Sequence, residues 1–294
     1  MDLDAAVSVT EAGSPVLVRD EVVLDPTLRL SDDVLVQVYD GIILLADRGG
    51  NNPAMCLMDR DGLLHNVIYQ EGDEPEDYAV LSDFQYRDET VEILDGRQGR
   101  LLHFSLEGDF EDAVQAEALT GANGYIRDGS SYWFDHSLSP EESAHFSLIR
   151  TDEKLDIKEQ HFPCDEAPAV PVAARRSFWK LDGHVHYFQP RDLTAYELVP
   201  DKEPRALWAL DFGQHDIDRE SLNATETPGQ ICLDLTCQGR KYLATISKKT
   251  GNTLILRFEG SIPSGFLPVT TWEDWFVALD PDIPLLRFFK FDVK

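Results

Sequence analysis

The sequence predicts an all-β fold: a six-bladed β-propeller with four-stranded blades, its ring closed by an N-terminal strand in the last blade. Three observations carry this. Short apolar strands separated by turns recur with a period in the forties, the signature of propeller blades. Two-residue Asp-containing turns recur between alternating strands, as tight hairpins require. The last unit ends one strand short, while residues 14–25, SPVLVRDEVVLD, form a strand with nowhere else to pair.

The period is read from related strand–turn–strand stretches. HFSL occurs at 103–106 and again at 145–148. Its relatives are MCLMDRDGLLHNVI (55–68), AYELVPDKEPRALWAL (195–210) and LATISKKTGNTLILRF (243–258). Anchored on Leu57, Leu106, Leu148, Leu198 and Ile246, they stand 42 to 50 residues apart. This places HFSL in the third strand of two consecutive blades and makes His103 and His145 equivalent positions.

The hairpins come upstream of each anchor. Asp40-Gly41, Asp88-Glu89, Asp128-Gly129 and Asp182-Gly183 precede the strands IILLAD, TVEILD, SSYWFD and HVHYFQ. Blades one to four are expected at about 34–68, 80–117, 122–162 and 175–210. Blade five, about 222–258, is irregular because DFGQHDIDRESLNATETPG replaces a clear first strand. Blade six takes FLPVTTW, DWFVALD and PLLRFFKF, and its missing strand comes from 14–25, which removes two open sheet edges. Residues 1–13 are expected to be disordered, and 14–294 to form one domain.

Composition narrows the function classes. Acidic residues number 54 against 26 basic ones, for a net charge of −28. Such a field repels nucleic acid and anionic membranes, and it leaves cations, neutral glycans and basic partners open. No apolar run reaches the roughly 18 residues of a membrane span. The N-terminus MDLDAAVSVTEAG lacks the basic start and apolar stretch of a signal peptide, so the location is cytoplasmic if Met1 is native. Cys56, Cys164, Cys232 and Cys237 form no CxxC and no zinc spacing; buried free thiols are expected. A monomer is expected.

Motifs for common chemistries are missing: there is no GxxxxGK[ST], GxSxG or HExxH. Asp211-Phe212-Gly213 lacks every other protein-kinase element. Asp47, Asp95, Asp135 and Asp280 each end a second strand, on the face where propellers usually bind ligands. No cofactor is expected, although a ring of carboxylates there could hold Ca²⁺; otherwise each Asp accepts hydrogen bonds from its own turn. The same face should carry Arg48, Arg97, His136, Arg191 and Arg240, able to pair with a carboxylate or a uronic-acid sugar, or with surplus surface acids. The candidate ligand-binding set is therefore Asp47, Arg48, Arg97, Asp135, His136, Arg191 and Arg240, with no metal ligands and no catalytic residues assigned.

His184 and His186 share one side of a strand, and these, with His103 and His145, read as packing positions before catalytic ones. Trp133, Trp179, Trp208, Trp272 and Trp275 fit packing between blades. The channel-lining first strands offer Asp83, Gln85 and Asn123.

Three stretches resemble a known family. EGDEPEDY (71–78) keeps Gly72, Pro75, Glu76 and Tyr78 of a glycine-rich loop before the second blade. ILDGRQGRLLHFSLEGDF (93–110) and TAYELVPDKEPRALWALDFG (194–213) match later strands and turns. The chain resembles the Bacteroidetes six-bladed β-propeller proteins, mostly cell-envelope lipoproteins with no accepted catalytic residues. The resemblance implies the fold and a cell-envelope location. Together these readings favour a non-enzymatic module that binds a glycan, peptide or protein on one propeller face. The alternatives are a lactonase or lyase-type enzyme with a divalent cation in the channel, and an intracellular scaffold.

Overall fold

The structure, a computed structural model, describes residues 1–8, 16–49, 53–69, 74–137, 146–163, 176–189 and 191–293. After a 3₁₀ turn at Leu3–Ala5, the chain forms β1 (Val7–Ser8) and β2 (Val16–Val23). Blade one is β3 (Val34–Tyr39), β4 (Ile42–Asp47), β5 (Ala54–Asp59) and β6 (Leu64–Ile68). Blade two is β7 (Asp83–Arg87), β8 (Thr90–Asp95), β9 (Arg100–Ser105) and β10 (Phe110–Gln115). Blade three is β11 (Gly124–Asp128), β12 (Ser131–Asp135), β13 (Phe146–Thr151) and β14 (Ile157–Pro163). Blade four is β15 (Phe178–Leu181), β16 (His184–Gln189), β17 (Thr194–Leu198) and β18 (Arg205–Ala209). Blade five is β19 (Ile217–Glu226), β20 (Gln230–Cys237), β21 (Arg240–Ser247) and β22 (Thr253–Phe258). Blade six is β23 (Pro268–Trp272), β24 (Trp275–Asp280), β25 (Leu285–Phe291) and the returning β2.

Each blade is an antiparallel meander, and the ring closes as expected. β2 pairs with β25 from Val16↔Phe291 to Val23↔Leu285. The stretch read as irregular in blade five is in fact its first strand, long and bulged between Asp218 and Asn223.

The core lies between blades, not within one centre. Six clusters of buried apolar side chains form, each shared by two neighbouring blades. Strand periodicity explains the near-continuous apolar runs. In β4, Ile43 and Leu45 pack with blade six, whereas Leu44 and Ala46 pack with blade two. A strand buried on both faces needs no polar alternation.

His103–Ser105 of the first HFSL copy and Phe146–Leu148 of the second fall on third strands, but their register differs. Asp95, ending β8, faces Arg100, and Asp135, ending β12, faces Leu148. Leu148 therefore corresponds to Arg100, not to Leu106. The equivalence expected for the anchors Leu106 and Leu148 fails on this register, and that expected for His103 and His145 falls on His145, which lies outside the described residues. A difference in the length of the connections ahead of the third strands shifts the motif along the strand, and its face changes too: Leu106 packs with the preceding blade, whereas Leu148 packs with the following one.

Residues 1–13 were expected to be disordered; residues 1–8 instead dock on blade five. β1 pairs in parallel with β22, Val7↔Leu256 and Ser8↔Arg257, giving this blade a fifth strand. Leu3 is buried with Leu222, Leu233 and Leu235. The composition of the segment hid one apolar anchor. Residues 9–13 lie outside the described set.

Cys56, Cys232 and Cys237 are buried free thiols, and burial pushes the Cys56 thiol up to about 11. Cys164 lies outside the described residues.

Candidate functional site

On the face formed by the second-to-third-strand turns, the aspartates act on backbone. Asp47 accepts from the Ser31 amide at 3.0 Å, the Ser31 hydroxyl and the Gly49 amide at 3.1 Å. Asp95, fully buried, accepts from the amides of Ala79 (2.7 Å), Arg97 (3.0 Å) and Gln98 (3.0 Å). Asp135 accepts from the Ser137 amide (2.9 Å), the Ser177 hydroxyl (2.6 Å) and the Tyr187 hydroxyl (3.1 Å). Asp280 accepts from the Asp282 amide at 3.2 Å. In blade four Gln189 takes this place, accepting from the Arg191 amide at 3.3 Å. Each carboxylate closes its own turn or ties it to an adjacent entry loop.

The basic residues of that face have separate settings. Arg48 Nε is 3.0 Å from Asp33 Oδ1, and its Nη1 donates to the Ser82 carbonyl at 3.1 Å. His136 is buried, its Nε2 3.0 Å from the Ala118 carbonyl, and burial lowers its pKa. Arg97, Arg191 and Arg240 are exposed, one each on blades two, four and five. A groove of about 820 Å³ between blades six and one includes Asp47 alone of the candidate set.

The channel is different. At the end where first strands turn into second strands, β3, β7, β11, β15 and β23 surround a cavity of about 400 Å³. Arg176 lines its floor and pairs with a carboxylate beneath it: Arg176 Nη2 lies 2.6 Å from Asp83 Oδ1, with Asp83 almost fully buried outside the lining. Asp83 also accepts the amides of Phe84 (2.8 Å) and Tyr125 (3.0 Å). Burial raises the Asp83 pKa, against the pull of Arg176 and these amides. The Arg176 guanidinium stacks 4.7 Å above the Phe84 ring and donates to the Phe84 carbonyl. Gln37 Nε2 donates to that same carbonyl at 3.2 Å.

The floor is not fully satisfied. Gln37 Oε1 and Arg176 Nε are buried without a hydrogen-bond partner among the described residues. The bond from Nε2 fixes which way the Gln37 amide faces. An orphan of this kind costs about 1–3 kcal/mol.

The walls are aromatic, amide and hydroxyl groups. Trp179 is held by its Nε1–H donating to Glu226 at 2.8 Å. Glu226, buried, also takes His186 Nδ1 at 3.0 Å and the Lys248 ammonium. Burial opposes that carboxylate, but the hydrogen bonds from His186 and Lys248 outweigh it and hold its pKa below the ordinary value. Tyr39 is pushed up to about 12 by burial, and its hydroxyl accepts the Tyr86 amide at 3.1 Å. Gln85 spans to blade three, donating to the Tyr125 carbonyl at 2.8 Å.

Of the expected channel residues, Asp83 and Gln85 are placed there as read, and Asn123 instead donates to the Asp135 carbonyl at 3.3 Å. Arg87, Arg127, Arg176 and Lys180 were missed. Three of them left a signal: YRDE, IRDG and WKLDG each put a base just before the first hairpin turn of blades two, three and four. Arg176 left none, because it reaches the axis from the end of a long interblade connection.

Another acid-rich group lies apart from the channel. Asp2, Asp4 and His215 are close enough to share a cation, with His215 Nε2 at 3.8 and 3.9 Å from the two carboxylates. Both carboxylates are exposed, and the spacing is that of ordinary ion pairs.

Comparison with known proteins agrees with this architecture. The chain is similar to the Bacteroides fragilis protein BF0058, with TM-score 0.76, 15% identity, and coverage of 95% of this chain and 96% of that one. It is also similar to a member of the duf4221 family from Bacteroides vulgatus, with TM-score 0.57, 10% identity and coverage of 95% and 98%. Virginiamycin B lyase from Staphylococcus aureus gives TM-score 0.50, 12% identity and coverage of 92% and 98%. At these identities the likeness is one of fold. No curated protein matches the chain. The family described as 6-bladed beta-propeller, DUF5128, matches residues 28–259, and the chain belongs to it.

Proposed function

We propose that this protein is a non-enzymatic binding module that holds a small polar ligand, a glycan first, at the first-hairpin mouth of its channel. The observation that carries this reading is the cavity of about 400 Å³ on the propeller axis. It is concave, lies within the size range of small-molecule sites, and combines fixed aromatic walls with converging polar groups. Trp179 and Tyr39 supply flat apolar surface, and Gln37, Gln85, Thr270 and Thr271 supply hydrogen-bonding groups. The exposed Arg97, Arg191 and Arg240 leave the opposite rim to a peptide or protein partner.

The enzyme reading, a lactonase or lyase with a divalent cation in the channel, has less support. Such a cation needs several oxygen ligands converging on one point. Asp83 already serves Arg176 and two amides, and Glu92 lies 3.4 Å from Arg127 and within reach of the Tyr125 hydroxyl. Lyase activity belongs to a fold neighbour at 12% identity. A cell-envelope location is part of the proposal, supported by the description of BF0058 as a candidate exported protein.

Thermal unfolding with a panel of host and plant glycans, Ca²⁺ and EDTA tests the function. A ligand at 100 times its Kd stabilises the fold by about 2.7 kcal/mol. A glycan-specific rise in Tm supports binding. A Ca²⁺-specific rise reversed by EDTA overturns it in favour of the metal-dependent reading.

A further inference from the structure

The charge of the channel mouth runs against that of the whole chain. The protein carries 54 acidic and 26 basic residues, yet the cavity lining contains four bases and not one Asp or Glu. The bases are Arg87, Arg127, Arg176 and Lys180, from blades two, three and four. Three of them have partners that leave the cavity: Arg176 serves Asp83, Arg127 lies 3.4 Å from Glu92, and Arg87 is 2.7 Å from Asp88. Lys180 has no carboxylate within ion-pair distance among the described residues; it follows Trp179 in β15, on the strand face of Phe178, which packs toward blade three, and both residues line the cavity.

Resting on the channel reading above, we infer that the ligand is an anionic sugar, one whose ring carries a carboxylate or a sulfate ester. The arrangement suits each part of such a molecule. Lys180 supplies a point charge, and Arg127 a guanidinium edge, for the acidic substituent. Trp179, immobilised through Glu226, offers its ring to the apolar face of the sugar. Gln85 and Thr271 meet hydroxyl groups. Below the cavity surface, Gln37 Oε1 lacks a donor and Arg176 Nε lacks an acceptor among the described residues, so the floor keeps unmet capacity for polar groups. A wholly neutral sugar leaves Lys180 unused, and an acid without hydroxyls leaves the amides unused. With Arg87, Arg127 and Arg176 each paired to a carboxylate, Lys180 is, among the described residues, the base of this mouth left to meet an acidic substituent, and the partly enclosed site strengthens that contact.

The test is a titration followed by calorimetry and by the part of the tryptophan fluorescence that is lost in Trp179→Phe, with D-galacturonate, D-galactose 6-sulfate, D-galactose and inorganic sulfate as probes at fixed ionic strength. The expected result is that one or both acidic sugars bind at least about tenfold more tightly than galactose, a difference of about 1.4 kcal/mol. The two acidic arms show which substituent is preferred. Lys180→Gln, at an exposed position that the fold does not need, should weaken the acidic sugars by more than it weakens galactose and so remove most of that preference. Arg127→Gln gives a second reading from the adjacent blade. Equal binding of galactose and both acids overturns the anionic inference and leaves the channel site standing. Preference for inorganic sulfate over the acidic sugars overturns the sugar half. Acidic sugars that bind without sensing either substitution place the site elsewhere, and the failure of every sugar to bind overturns the channel reading itself.

Discussion

Arg176 and Asp83 join blade four to blade two across the propeller axis, with Nη2 and Oδ1 2.6 Å apart. Nearly all interblade contact in this fold is between sequence neighbours, so this pair is a brace that skips blade three. Its remaining bonds reach further: Asp83 accepts the Tyr125 amide of blade three, and the Phe84 carbonyl takes Gln37 of blade one.

Removing one member of the brace should be costly. Arg176→Met leaves the Asp83 carboxylate buried and short of its cation, and a broken buried pair costs about 3–5 kcal/mol. The double variant Arg176→Met with Asp83→Leu should recover much of that loss, since the uncompensated charge is gone. Urea unfolding of both single variants and the double variant checks this. Additive losses would show that the pair is not coupled.

Acid should weaken the contact between blades four and five. The Glu226 pKa is held below its unfolded value, so its contribution to stability is present above the unfolded carboxylate pKa. It is lost as pH falls through the depressed folded pKa. Glu226→Gln should be less stable than the parent at neutral pH and should show a shallower fall in urea midpoint on acidification. The difference between the two proteins at pH 7 and pH 3 is the measurement, and a gap that does not close in acid contradicts the assignment.

How far the sequence reveals this molecule depends on what kind of interaction made each part. The blades were legible because strands buried on both faces, such as β4 with Ile43 to Ala46, leave long apolar runs, and because Asp-Gly pairs mark hairpins. The closing strand was legible because an unpaired strand is costly. Asp47, Asp95 and Asp135 were visible as recurring positions, and their alternative reading as turn acceptors describes the bonds they make. HFSL misled as to register, since identity in four residues says nothing about loop length. Arg176 was illegible because it depends on where a long connection returns to the axis. Lys180 was legible only as one of three bases placed before a first-hairpin turn, a pattern that becomes chemical once the ring brings the turns together.

The N-terminal segment should contribute measurable stability to blade five. Leu3 is 4% exposed among Leu222, Leu233 and Leu235. Leu→Ala at a buried site costs about 2–5 kcal/mol, and a short segment that can peel away should sit at the low end of that range. Hydrogen exchange locates the effect: in Leu3→Ala the amides of β22 paired with β1 should exchange faster, while those of blade two should not change. Uniform loss of protection would mean that the whole ring, not a docked segment, had been weakened.

Asp135 gives the sharpest distinction between a structural carboxylate and a metal ligand. It accepts hydrogen bonds from Ser177, Tyr187 and Ser137, so Asp135→Ala strands two hydroxyls and an amide near the junction of blades three and four. Each buried orphan costs about 1–3 kcal/mol, and the Tyr187 hydroxyl, which lies in the core, should dominate. Asp135→Asn keeps one acceptor oxygen and should recover part of the loss. The Tyr187 pKa is raised well above its ordinary value, by burial first and then by the Asp135 charge, so Asp135→Asn should lower it. Urea unfolding at pH 7, with and without Ca²⁺, is the check. If the aspartate serves the turn, the variants lose stability to the same extent under both conditions. If Ca²⁺ stabilises the parent but neither variant, Asp135 is a ligand and the turn bonds are secondary.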